Sequence, residues 1–216
     1  MSYPDLRDYE PIHPRGRDWR GLGKRMFGPI VAAAIALAKF SFILIKFSAI
    51  FVSVWLYALY FHSWAFGIGI VVLIFIHELG HFIEAKREGL HPQLPVFIPF
   101  LGAYVRYTRG NPWQTARVAI AGPICGGLAA LVCYIVGKAN GSDLWLALAY
   151  IGFLLNLINL LPVGILDGGA VWRSARYLYR GGGRGKATFV FILFGATALA
   201  LAVGMVASHV PRGRVT

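Results

Sequence analysis

The sequence predicts an all-α multi-pass membrane protein, with about five transmembrane helices and a short re-entrant β-hairpin. Three observations predict it. Of the 216 residues, 57% are hydrophobic and only 14% are charged, where a soluble domain usually has about a quarter charged. Apolar runs long enough to cross a bilayer recur along the chain, separated by short polar turns. The basic residues gather at the ends of those runs, at Arg7 to Arg25, Lys86–Arg87, Arg106–Arg109 and Arg173 to Lys186, as the positive-inside rule requires of cytoplasmic loops. So distributed, the net charge of +12 speaks for membrane orientation and not for nucleic acid. RNA binding by the Gly/Arg segment Arg180–Arg184 is the minor alternative.

Residues 1–28 read as a polar cytoplasmic arm, with Pro4, Pro11 and Pro14 among mixed charges. Its acidic residues and prolines do not make the n-region of a signal peptide, and its arginines suit anionic lipid. Residues 29–209 form the membrane-embedded domain, and residues 210–216 a short tail. From Pro29 to Phe61 the chain is apolar apart from Lys39 and Lys46, which share a helix face and are placed to snorkel. One span is expected near Phe40–Phe61, preceded by an interfacial helix over Ile30–Ala38. His62-Ser63-Trp64 makes the outer turn, and a second span runs from Ala65 to Ala85. Gly89 to Trp113 is not a helix, since it holds Pro92, Pro95, Pro99 and Pro112, while Val96–Ile98 and Ala103–Tyr107 read as short strands around Gly102. It is too apolar for a solvated loop. Irregular backbone at membrane depth must be covered by protein or line a wet cavity, and a re-entrant hairpin satisfies both constraints.

The third span is expected over Thr115–Gly137, with Gly126-Gly127 allowing close helix contact. Lys138–Asp143 makes another outer turn, and Leu144–Leu161 the fourth span, which carries Asn156 and Asn159 and breaks at Pro162. Ala170–Tyr179 mixes aromatic and arginine residues in the manner of an interfacial helix. Glycines 181–183 and 185 unlink it from the last span, Ala187–Ser208. Cys125 and Cys133 are eight apart in the third span, about 12 Å along a helix axis. That is beyond disulfide reach, so they read as small packing residues.

The chemistry concentrates in the second span, at His77-Glu78-Leu79-Gly80-His81. Residues four apart on a helix project from nearly the same face, so His77 and His81 can share one zinc ion. Glu78 can then act as general base on a water that the metal activates. Ionisable groups at membrane depth are costly, which argues against a chance occurrence. Two histidines leave a catalytic site one protein ligand short, and the chain offers nine acidic residues. Glu84 shares the face of His77 but lies two turns away, roughly 10 Å along the axis, too far to bind the same ion. Asp167 follows the fourth span, which ends on the side of the membrane where the histidines sit, and Gly168 and Gly169 let the backbone bend closely there. The competing reading of Asp167 is a turn-forming Asp-Gly at a helix end.

These residues resemble the site-2 protease family of intramembrane zinc metalloproteases. The resemblance rests on H77-E-L-G-H81 followed by Ala85 and Gly89, on A121-G122-P123, and on N159-L-L-P162-V-G-I-L-D167-G168-G169. It covers roughly Trp64 to Gly169, a catalytic core of residues 64–169. It implies that His77, His81 and Asp167 bind Zn2+ and that Glu78 activates the water and passes its proton to the leaving amine. Asn159 is implied to steady the substrate backbone or the developing oxyanion; an interhelical hydrogen bond is its structural alternative. Asn156 has no motif support and reads as a packing or pore-lining residue. The strand insert is implied to pair with an unwound substrate. Gly164 stands where many members have proline, and Ala170 where a polar residue often follows. The turn between the third and fourth spans is too short for a PDZ insertion, and no regulatory domain is expected after the last span, as in minimal members.

The expected activity is therefore intramembrane hydrolysis of peptide bonds in or near transmembrane segments of protein substrates, at a cell membrane. The N-terminus is expected in the cytoplasm and the active site in the cytoplasmic half of the bilayer. The expected partners are those substrates and the lipid bilayer, without nucleic acid. A non-proteolytic membrane metal-binding protein or metal-ion permease is the alternative, but neither needs a glutamate beside the first histidine.

Overall fold

The computed structural model of the chain describes residues 27–31, 33, 35, 37, 49–98 and 102–209. The N-terminal arm to Met26, residues 38–48 with the first nine residues of the expected first span, and the tail from Val210 lie outside the described residues. The backbone described between residues 27 and 37 is helical and belongs to a unit of its own, Met1–Ile45. Everything that follows belongs to the second unit, Lys46–Thr216.

That second unit begins with α1 (Ala49–Phe61) and α2 (Trp64–Arg87), whose first turn is capped by the Ser63 hydroxyl accepting from the Phe66 N–H. Along α2 the buried positions follow helical periodicity, from Gly67 through Ile70, Leu73, His77 and His81 to Glu84 and Ala85. Ile68, Val72, Phe75 and Ile83 leave the other face apolar and exposed. A helix that is apolar all round, with its ionisable groups on the protein side, is what a membrane environment demands.

The hairpin consists of β1 (Val96–Ile98) and β2 (Gly102–Tyr104), antiparallel with Phe97 opposite Ala103. The second strand is shorter than the expected Ala103–Tyr107. In this register Pro95 would face Val105 and has no N–H to offer, although the Gln93 N–H still donates to the Arg106 carbonyl at 2.8 Å. Phe97 stacks on Phe75 of α2, which fastens the hairpin beside the histidine-bearing helix.

Next comes α3 (Pro112–Asn140), which starts earlier than Thr115 because Asn111 and Gln114 form a reciprocal capping box and Pro112 sits at the first helical turn, where its missing N–H costs nothing. The helix continues through Pro123 and ends at left-handed Gly141. It is the hub of the unit, packing on α2, α4 (Asp143–Asn159), α5 (Asp167–Arg180) and α6 (Arg184–Ala207). Near its N-terminal end, Arg117 bridges Glu84 and Glu88 at 2.6 Å each, tying α3 to α2.

Among the described residues, α2, α3 and α6 are the three helices long and apolar enough to cross a membrane. This is fewer than the five expected. The described part of α1 is short, and the 17 residues of α4 reach about 26 Å, a little less than the hydrocarbon core. A second difference concerns α5. It begins at Asp167 and not at Ala170, so Gly168 and Gly169 belong to its first turn. Their lack of side chains lets that turn press on the backbone carbonyls of Leu160 and Val163.

Candidate metal centre

The two histidines of α2 and the first residue of α5 converge. The Asp167 Oδ2 atom lies 3.1 Å from His77 Nε2 and 3.3 Å from His81 Nε2, and the two Nε2 atoms are 3.1 Å apart. Each ring is fixed from behind. Asn156 Oδ1 on α4 lies 2.7 Å from His77 Nδ1, and the Val118 carbonyl on α3 lies 2.8 Å from His81 Nδ1. Both partners are acceptors, so each Nδ1 carries the proton and each Nε2 presents a lone pair.

Three acceptor atoms therefore face one another at 3.1–3.3 Å. One proton satisfies a single contact of the three; one cation among them satisfies all. The dimensions fit such an ion: ligands at about 2.1 Å on tetrahedral corners stand about 3.4 Å apart. Two imidazoles and a carboxylate with a fourth direction open are a zinc-type donor set. Glu78 stands beside this triangle, 6% exposed, with its carboxylate within 4.8 Å of the histidine ligand atoms. Glu84 is held away by Arg117, as its distance along the helix requires.

The glycines of α3 make room for the arrangement. A side chain at Gly122 would overlap the His81 ring, and one at Gly126 would overlap the Asn156 amide. On one side of the triangle lies a cavity of about 240 Å³ bounded by Tyr104, Tyr107, Asn159 and Leu166. Its Tyr107 hydroxyl is pushed up by burial first and then by the charges of Asp167 and Glu78, so it stays protonated. A second cavity of about 170 Å³ reaches His77 and Glu78 from the side of Tyr57, Ala103 and Leu155. Asn159 borders both.

The candidates His77, Glu78, His81 and Asp167 are thus brought together and Asn159 lines the adjoining space. Asn156, expected to pack or to line a pore, borders the smaller cavity and also contacts a histidine. A lone amide in an apolar helix names no partner, and a backbone carbonyl such as that of Val118 carries no signal in sequence at all.

The sequence profile of Peptidase family M50 matches residues 65–141 and 138–202. A protein of Synechocystis sp., provisionally named a zinc metalloprotease, is 34% identical over 121 residues, 51% of this chain and 32% of that protein. A zinc metalloprotease of Methanocaldococcus jannaschii is 29% identical over 108 residues, 48% of this chain and 32% of its own length. The chain spans about a third of the length of these curated relatives. No solved structure matches it at a significant level. The profile takes in the histidine-bearing helix, the hub helix and the segment that delivers Asp167, well over half of the sequence, and on that match the chain belongs to Peptidase family M50.

Proposed function

We propose that this protein is an intramembrane zinc metalloendopeptidase, cleaving peptide bonds within or near transmembrane segments of other membrane proteins. The observation that carries the reading is the triangle of lone pairs from His77, His81 and Asp167 with Glu78 beside it. Zinc held by those three side chains supplies a Lewis acid for the scissile carbonyl and makes the attacking water more acidic.

The remaining work falls to the chain itself. Glu78 takes a proton from the attacking water and delivers it to the leaving amine, in a site where burial excludes competing water. Asn159, bordering both cavities, offers its amide to the substrate backbone or to the developing oxyanion. A helical substrate hides its peptide bonds in its own hydrogen bonds, so it must unwind before attack. The hairpin at the mouth, with Tyr104 and Val105 lining the cavity, is placed to accept the unwound strand. The apolar faces of α2, α3 and α6 support a setting for these events in a bilayer. Basic residues at Lys86–Arg87 and Arg173–Lys186 support an orientation with the Asp167 end on the cytoplasmic side of a cell membrane.

The test is zinc analysis of purified protein alongside cleavage of a model transmembrane substrate by wild type and Glu78→Ala. About one zinc per chain, with cleavage by wild type alone, supports the reading. Zinc-free protein, or equal cleavage by both, sinks it.

A further inference from the structure

We propose that Asn156 is a positioning residue for the metal centre, holding His77 in the tautomer and orientation that turn a bare Nε2 toward the ion. The inference rests on the metal-site reading above and goes beyond it, since nothing in the sequence motifs points to this residue. Four observations on three helices support it.

Asn156 is 3% exposed, in the apolar helix α4. Its amide nitrogen donates to the Gly152 carbonyl at 2.7 Å, which settles which end of the amide is the oxygen. That oxygen lies 2.7 Å from His77 Nδ1, so the ring must donate there and leave Nε2 unprotonated. Finally, a Cβ on Gly126 of α3 would occupy the position of the amide. The space for Asn156 is therefore kept open by the neighbouring helix, and the amide has no other comfortable place.

The physical effect is specific. Were His77 free to choose, part of its population would carry the proton on Nε2 and point a hydrogen at the ion. An apolar residue at 156 would also leave the buried Nδ1–H without an acceptor, which favours rotation of the ring. His81 does not share this dependence, because its Nδ1 is served by the Val118 backbone carbonyl. The two ligands on one helix are thus positioned by different means, and only the hydrogen-bond acceptor behind His77 can be removed by a side-chain change. Since α4 also leads directly to Asp167, docking of α4 sets the His77 tautomer and delivers the third ligand in one event.

The experiment uses the full chain in detergent micelles. Zinc affinity is measured by competition with a chromogenic chelator for wild type, Asn156→Leu, Asn156→Asp and His77→Ala. Ring nitrogen NMR of 15N-histidine-labelled, metal-free wild type reports the tautomer directly. We expect the proton of His77 on Nδ1 in wild type. Asn156→Leu, close in size but without an acceptor, should bind zinc about 10–100-fold more weakly, while Asn156→Asp, which keeps an oxygen in place, should stay within a few-fold of wild type. Wild type with the His77 proton on Nε2 overturns the inference, whether or not the variants fold. So does an Asn156→Leu protein with undiminished affinity, or an Asn156→Asp protein as weak as Asn156→Leu, which would mark a packing role. His77→Ala separates the two layers of argument. If it still binds zinc as wild type does, the metal-site reading itself falls; if it loses zinc while Asn156→Leu does not, only the role of Asn156 falls.

Discussion

Gly122 has no side chain because the imidazole of His81 occupies the space one would need. The consequence is sharp for so small a change: Gly122→Ala should displace His81, lower stability by about 1–3 kcal/mol as overpacked sites do, and weaken zinc binding, read by metal content after dialysis. The acidic residues separate by role. Glu78→Gln should retain zinc and lose about 10²–10⁴-fold in cleavage rate, the usual worth of a positioned general base. Asp167→Ala should insert and fold nearly normally, bind zinc markedly more weakly and cleave nothing. An Asp167→Ala protein that holds zinc as tightly as wild type would remove Asp167 from the ligand set. At this scale the sequence was most legible where chemistry is local. His77, Glu78 and His81 declare themselves by spacing on one helix. Asp167 could be reached only through depth and topology, and the partners behind the rings belong to distant helices that no local pattern names.

Between elements, the joint that matters is the one at Arg117. Its guanidinium bridges Glu84 and Glu88 of the α2 end, one residue before the carbonyl that holds His81. Removing one partner of a fully buried pair costs about 3–5 kcal/mol, but the Arg117 side chain is 42% exposed, so about 1–2 kcal/mol is the better expectation for Arg117→Ala. A thermal unfolding scan in micelles measures it, and an unchanged midpoint would mean the bridge is ornamental. The loop from α4 to α5 is similarly fastened. Gly164 turns with φ +50, a conformation closed to proline, and its carbonyl accepts from Arg173 at 2.7 Å. Gly164→Pro should therefore loosen the segment leading to Asp167 and reduce cleavage in the same substrate assay. Helix starts were the least legible elements in the sequence. The sequence starts the helix at Ala170, after Gly168-Gly169, and leaves Pro112 in a loop, yet these residues lie in first turns, where packing and capping outweigh intrinsic propensity.

Across the whole molecule, the antiparallel order of α2, α3 and α4 puts Ser63 and Ser142 at one end and Arg87 and Arg176 at the other. Cysteines introduced at 87 and 176 should react with an impermeant reagent only after the cell is opened, and those at 63 and 142 in intact cells. Labelling of position 176 from outside would reverse the proposed orientation. The apolar composition made a membrane protein legible at once, but span counting was coarser, because a helix such as α4 can be ended early by the site it serves. The separation of the ligands along the chain has a consequence in time. His81 and Asp167 are 86 residues apart, and at about 5–20 residues per second of synthesis roughly 4–17 s pass between making one and making the other. During that interval the nascent chain owns two of its three proposed ligands and a glutamate with nothing to activate. On the proposed reading, such a protein enters the membrane unarmed and becomes a hydrolase only after α4 has docked and the start of α5 has brought Asp167 to the histidines.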